Sequence, residues 1–228
     1  MGEGFIEMLK AERLTLIMSL PRNDPGLAIC AWENGADVIK VHVNVCHRAS
    51  KTSFERLEEE YESLKQILSD AKGPVGIVLG GDTEGAAKDF EASLNMGFDF
   101  ISLYMHHTPL KILAFDHTIK MLAADYTYTM DEISEFSSMA QVLEASIIRP
   151  EEYGMPLNAR DILHYRQLAV KAAMPVVVPT QKRVSLDELA LLRDIGINGI
   201  MIGTIVTGTE KETVSKAIAN FKKRILIL

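Results

Sequence analysis

The feature that most constrains this chain is a repeated alternation. Eight apolar runs of strand length, at 14–21, 36–45, 74–81, 98–107, 119–128, 141–148, 175–181 and 197–206, are each followed by a segment with helical spacing. Asp24, Pro25 and Gly26 open one such helix, Gly35 closes it, and Gly97 and Gly196 close two others. An acidic cap, an early proline and a terminal glycine belong at those positions. Strands joined by crossover helices pair in parallel, and two architectures accept that connectivity. An open doubly wound sheet usually has a glycine-rich turn after its first strand, but "SLPRNDPG" contains no G-x-G-x-x-G. Eight units in 228 residues instead suit an α/β fold of the closed (β/α)8 type, the TIM barrel, which typically takes about 250 residues. No linker or shift in composition divides the chain. Residues 1–228 are therefore expected to form a single barrel domain, with a short N-terminal helix ahead of the first strand.

Composition narrows the classes of function. Hydrophobic residues make up 47% and charged residues 24%, which is ordinary for a folded globular protein and argues against disorder. A formal charge of −7 without a basic cluster disfavours a nucleic-acid partner. No run approaches the roughly 18 apolar residues that would span a bilayer, so no membrane partner is expected. The opening "MGEGFIEMLKAERLT" is acidic, lacks a long apolar region and does not read as a signal peptide. Cys30 and Cys46 have neither metal nor redox spacing, which points to thiols in a reducing, cytoplasmic compartment.

In a barrel, one face of each strand meets the helices and the other fills the interior. The helix-facing side must be apolar, because unpaired polar groups buried there are costly. In "ADVIKVHVNV" (36–45) that rule sends Ile39, Val41, Val43 and Val45 outward and leaves Lys40, His42 and Asn44 inside. On the fourth strand Ser102, Tyr104 and His106 are left inside, on the sixth Glu144 and Ser146, and Asp125 falls near the end of the fifth. Barrel interiors are usually branched aliphatics, so this one is unusually polar. Strands two and six lie across the barrel from each other, so Lys40 and Glu144 would flank a ligand at the mouth, suitably placed for proton transfer. The alternative is an ion pair, Lys40 with Glu144 or with Asp125, that only fills the barrel. His42, His106 and Asn44 offer a set for a divalent metal, but their number and spacing are not diagnostic. Each histidine reads equally well as a satisfied core or rim residue, and His47 and His107 sit beside them in loops. No cofactor is required by this pattern, and a divalent metal is the minority option.

The last two units carry glycines at 199 and 203, then Thr204, Gly208 and Thr209 before a helix. Barrels often bind phosphate there, where glycine lets backbone N–H groups approach and a helix N-terminus favours the anion. Gly203 and Thr204 are the expected cradle, and Gln181 after the seventh strand would add an amide donor. The alternative is that Gly199 and Gly203 only allow tight packing. The stretch "RPEEYGMPLNARD" (149–161) is the best candidate for a mobile lid, with Arg149 and Tyr153 in reach of a phosphate or sugar hydroxyls; the alternative is a solvated loop that contacts another subunit.

The segments "ERLTLIMSLP", "PVGIVLGGDT", "KMLAADYTYTMDEISEFSSM" and "PVVVPTQKRVSLDELALLRDIGINGIMIGTIVT" resemble the ribulose-phosphate-binding barrels. In cadence they are closest to the N-acetylmannosamine-6-phosphate 2-epimerase family. The resemblance implies a phosphate turn at Gly203 and Thr204 and aligns Asp125 with the aspartate of that family's fifth strand. Two departures stand out: Leu79 occupies the position of the family's strand-three lysine, and Pro179 that of its strand-seven glutamate. Lys40 is then the only inward lysine placed on a strand. It would serve as a Schiff-base nucleophile or as the cation that stabilises an enolate.

The expected function is that of an enzyme acting on a small phosphorylated sugar or sugar acid, an isomerase, epimerase or carbon–carbon lyase working through an enolate-like intermediate. Lys40 and Glu144 would handle protons or charge, Asp125 and His42 would orient the substrate, and Asn44, His106, Arg149, Gln181, Gly203 and Thr204 would bind it. The other reading is a barrel without chemistry that binds a phosphometabolite as a sensor or assembly subunit. A homo-oligomer fits either.

Overall fold

The computed structural model describes residues 2–47 and 51–228; the side chain of His47 lies outside the described residues. The strands are β1 (Thr15–Ser19), β2 (Val38–His42), β3 (Val45–His47), β4 (Thr52–Phe54), β5 (Val75–Val78), β6 (Phe100–Tyr104), β7 (Ile119–Asp125), β8 (Val142–Ser146), β9 (Val176–Pro179) and β10 (Gly199–Ile202). The helices are α1 (Glu3–Lys10), α2 (Pro25–Glu33), α3 (Leu57–Ser69), α4 (Thr83–Met96), α5 (Leu110–Leu113), α6 (Met130–Ser134), α7 (Ala159–Lys171), α8 (Glu188–Asp194), α9 (Thr204–Thr207) and α10 (Lys211–Ile225). Eight strands close into a parallel barrel in the order β1-β10-β9-β8-β7-β6-β5-β2, with helices in the crossovers. This is the (β/α)8 architecture that the alternation predicts.

Two apolar clusters follow from the alternation of strand side chains. Leu16, Met18, Ile39, Val41, Leu103 and Leu143 point outward and merge with the inner faces of the helices. Ile17, Val38, Phe100, Met121 and Val177 point inward and fill the lower half of the barrel. Helix α1 closes that end. Its Phe5 stacks on Phe100 with ring centroids 4.2 Å apart, and Leu9 is fully buried beside it. Gly76 makes room for this stack, since a Cβ there would lie 2.1 Å from the Phe100 ring. Below the barrel, Asp37 binds both Nη atoms of Arg13 at 3.0 Å, Lys222 at 2.6 Å and the N–H of Leu16 at 3.0 Å, tying β1 to α10. Burial alone would lift the Asp37 carboxyl, but these donors outweigh it and hold it below the ordinary carboxylate range.

The structure differs from the sequence reading where strands end. β2 stops at His42 and not at residue 45, because the side chain of Asn23 takes both backbone groups of His42: Nδ2 donates to its carbonyl at 2.7 Å, and its N–H donates to Oδ1 at 3.2 Å. Asn44 then turns left-handed (φ 54°), a conformation that asparagine tolerates better than most residues. It donates to Asp89 at 2.6 Å and lies on a turn, not inside the barrel wall. Val45 and Cys46 accordingly begin a small antiparallel hairpin, β3 with β4, over the mouth. β6 likewise ends at Tyr104, and a 3-10 turn over Met105–His107 carries His106 out of the interior.

Candidate functional site

At the C-terminal ends of the strands the barrel opens into a cavity of about 400 Å³. Polar sites collect at this end because the loops here are free to vary while the lower half is packed. The floor is built by register. β1 pairs Ser19 with Lys40, β2 brings Lys40 alongside Gly76, and β7 pairs Ala123 with Glu144. Lys40 and Glu144 therefore rise to one level from opposite walls. They meet in an ion pair with Nζ 2.9 Å from Oε2, both side chains less than a tenth exposed. Ser102 donates to the same carboxylate oxygen at 3.0 Å, and Ser146 donates to Oε1 at 3.0 Å. Burial would raise the Glu144 carboxyl, but the charge and hydrogen bond of Lys40, with the two seryl donors, outweigh it and hold it below the usual range. Glu144 is thus an anion at neutral pH, and Lys40 is its counter-cation.

His42 stands one turn of the pleat above Lys40. Its Nε2 lies 3.4 Å from Ser19 Oγ, and its ring packs against Phe54 of the hairpin at 4.8 Å between centroids. Ser19, on the inward face of β1, was not singled out from sequence, although the same parity rule applied to "LIMS" exposes it. At the end of β10, the strand paired with β1, the N–H of Gly203 lies beside Ser19 and donates to Thr180 Oγ1 at 3.1 Å. Thr204 opens the short helix α9, and its hydroxyl is buried at the cavity without a hydrogen-bond partner among the described residues. Thr180 was missed as well; it follows Pro179, where β9 ends, so strand parity gives no signal there.

Of the expected site residues, Lys40, His42, Glu144, Asn44, Gln181, Gly203 and Thr204 all border this cavity. Three do not. Asp125 accepts from the N–H of Thr127 at 2.9 Å and its hydroxyl at 2.6 Å, and this local turn holds the carboxylate at the rim. His106 stands beside it, its Nδ1 3.2 Å from the Tyr128 hydroxyl, in a separate shallow depression. Burial and the nearby Asp125 push the Tyr128 phenol up. It is His107, the next residue in the 3-10 turn, that borders the main cavity. Arg149 is exposed, with its guanidinium 4.9 Å over the Tyr126 ring.

Two further expectations are corrected by hydrogen bonding. The Gln181 amide does not offer a donor to a phosphate: its Nε2 already donates to Ser146 O at 3.2 Å and Tyr153 Oη at 2.6 Å. The 149–161 stretch is not a loose lid, because it is tied to the exit of β9. The N–H of Gly154 donates to Gln181 O at 2.9 Å, the N–H of Arg183 to Met155 O at 2.9 Å, and Arg183 Nε to Gly154 O at 2.7 Å. Metal ligands do not gather either. Among the described residues no three of His, Cys, Asp and Glu converge, and His42 and His106 lie in different depressions. Leu79, where the resembling family has a lysine, is fully buried in the helix-facing core.

No protein-family model matches the chain, and no curated protein sequence is significantly similar to it. Solved structures are similar in fold. Thiamine phosphate pyrophosphorylase from Pyrococcus furiosus superposes with a TM-score of 0.66 at 17% identity, covering 95% of this chain and 96% of that one. A mutant tryptophan synthase α-subunit from the same organism gives 0.70 at 14% identity over 92% and 97%. Phosphoribosylanthranilate isomerase from Thermotoga maritima gives 0.61 at 13% over 94% and 100%. At such identities the likeness establishes the barrel and nothing of the chemistry. Among the described residues no helix is long and apolar enough to cross a membrane.

Proposed function

We propose that this protein is an enzyme that rearranges a small phosphorylated sugar or sugar acid through an enolate-like intermediate. The observation that carries the reading is the Lys40–Glu144 pair. It is an ionised carboxylate and its counter-cation, held by two serines at the floor of an open cavity. A barrel that needed only filling would gain as much from aliphatic residues, since desolvating two charges offsets most of their attraction. A substrate carbonyl oxygen drawn to Lys40 would have its developing charge stabilised, and Glu144 would be released to take the proton from the neighbouring carbon. An ammonium already donating to a carboxylate is not the free amine that a Schiff base requires, which favours the electrostatic role for Lys40.

Phosphate would sit at the end of β10, on the Thr204 hydroxyl and the N–H groups of Thr204 and Ile205, since those of Val206 and Thr207 already donate to Gly203 O. Two fold neighbours carry phosphorylated compounds in their names, which agrees with this reading. The test is to incubate the protein with ribulose 5-phosphate and other phosphorylated ketoses in D2O and follow loss of the C–H signals by proton NMR. Exchange or rearrangement is expected, and Lys40→Met and Glu144→Gln should each slow it by at least about a hundredfold. Full activity in both variants would refute the assignment, and so would a borohydride-trapped adduct on Lys40 for the electrostatic role.

One observation favours a second reading, a binder without chemistry. Every oxygen of Glu144 already accepts a hydrogen bond, so the pair is satisfied without a substrate. Phosphosugar binding with no exchange on any phosphorylated ketose would select that reading.

A further inference from the structure

The exit of β9 is held from several directions. Just past it, the fully buried ammonium of Lys182 binds Asp161 at 2.8 Å and Glu152 at 3.4 Å. Burial works against the charge on Lys182, but Asp161 and Glu152 outweigh it and hold it above the ordinary lysine range. The N–H of Thr180 donates to Met201 O at 2.9 Å, and the N–H of Gln181 turns back onto Pro179 O at 2.8 Å. Thr180 is thus fixed through its backbone, and its side chain is buried at the cavity.

A threonyl hydroxyl can accept hydrogen bonds and has one proton to donate. The N–H of Gly203 uses the Thr180 oxygen as an acceptor at 3.1 Å, and among the described residues nothing accepts the Thr180 proton. An N–H cannot accept, so that proton points away from Gly203. A buried donor without an acceptor is costly, and a folded chain keeps few of them.

The place of Thr180 in the barrel shows what this donor would meet. In the ring of strands β9 lies between β8, which carries Glu144, and β10, which ends at the Gly203 turn. Register sets Val177 beside Glu144 and Pro179 beside Met201, so Thr180 stands above the level of Glu144 and just below that of Gly203. The floor that would hold the reacting carbon is on one side of it, and the turn that would hold phosphate is on the other.

We propose that Thr180 is a specificity-determining residue whose hydroxyl donates to a ligand hydroxyl carried on the carbon chain between the reacting carbonyl and the phosphate. The ligand class is a phosphorylated ketose or sugar acid with a hydroxyl in that stretch, and the inference rests on the phosphosugar reading above. A triose phosphate, whose carbonyl carbon is one methylene from the ester, has no such oxygen. A site built to hydrogen-bond a substrate hydroxyl rejects the analogue that lacks it, because its own buried group is then left unpaired.

The experiment compares three probes by calorimetry on the full chain: ribulose 5-phosphate, dihydroxyacetone phosphate and inorganic phosphate. The wild type should bind the first at least about tenfold more tightly than the second. Thr180→Val keeps the shape and removes the donor; it should weaken ribulose 5-phosphate about tenfold and leave the other two within about twofold. It also takes the acceptor from the Gly203 N–H, so Thr180→Ala, whose smaller side chain admits water to that group, is measured beside it and should show the same pattern. Thr180→Ser keeps both roles of the hydroxyl and should bind all three probes as the wild type does. Valine and alanine variants with wild-type affinity for ribulose 5-phosphate would overturn the inference. So would variants that weaken all three probes alike, which would put Thr180 in the phosphate turn, and so would a wild type that binds both phosphorylated ketoses equally. Each of these results leaves the phosphosugar reading standing. Wild-type protein that binds none of the probes would remove both.

Discussion

Replacing Lys40 with methionine tests whether the cavity floor is an electrostatic device. The variant keeps an unbranched side chain, one heavy atom shorter, and among the described residues leaves Glu144 with Ser102 and Ser146 as donors. Breaking a buried ion pair from one side costs about 3–5 kcal/mol. The two seryl donors remain, so the low end, about 3 kcal/mol, is expected at pH 8. For a chain of this length that lowers Tm by about 6–12 °C. The pH dependence is the sharper signature. In the wild type the Glu144 carboxyl lies below its unfolded value, so it adds stability above about pH 4.3, and that contribution is lost as pH falls through the folded value. Without Lys40 the two largest influences lowering it are gone and burial dominates, which puts the folded carboxyl above its unfolded value. The variant is then penalised as pH rises through that raised value and relieved below it, where Glu144 takes a proton. Urea unfolding followed by circular dichroism should show a deficit of about 3 kcal/mol at pH 8 shrinking to about 1 kcal/mol near pH 5. An equal deficit at both pH values would refute the reasoning, since lost packing alone is insensitive to pH. Replacing Glu144 by leucine in the same chain should recover most of the loss, because no unpaired charge is left.

Three further outcomes follow from single contacts. Thr204→Val preserves shape and removes a buried hydroxyl that has no hydrogen-bond partner among the described residues, so thermal stability should hold or rise slightly while inorganic phosphate binding weakens about tenfold by calorimetry; unchanged phosphate affinity would count against the cradle. Gly76→Ala forces a methyl into the Phe100 ring and should cost about 1–3 kcal/mol in chemical denaturation, a loss that Phe100→Leu in the same chain should partly relieve. Asp37→Asn weakens the joint of Arg13, Lys222 and Leu16 and should cost about 1–2 kcal/mol at pH 7. The Asp37 carboxyl is lowered in the fold, so its contribution is present above about pH 4 and is lost as pH falls through the folded value; the gap between variant and wild type should close below that pH.

Much of the site was legible as parity. Lys40 and His42 share one face of an oily strand, and Glu144 lies on the inner face of the strand opposite. Alternation alone, combined with eight strands in a ring, brings those two walls together. Asn44 and His106 obey the same alternation on paper and fail it in the fold, because each lies just beyond the last residue that the sheet pairs. Asp125 fails for a different reason: a threonine two residues on takes its carboxylate into a local turn. Lys182, Ser19 and Thr180 went unread, since a lysine after a strand looks solvated until Asp161 and Glu152 arrive from other segments.

By itself the sequence determined what depends on near neighbours along the chain: eight strand-helix units, which face of each strand is oily, and hence a barrel with lysine and glutamate inside. Those properties follow from periods of two and of about 3.6 residues, which the backbone imposes locally. Only the tertiary structure decided where each strand stops and which polar groups meet. Asn23 ends β2, Asp89 receives Asn44, and Gln181 donates to the Tyr153 hydroxyl, each through partners many residues away. A hydrogen bond between distant segments leaves no periodic trace, because its geometry exists only once the barrel has closed.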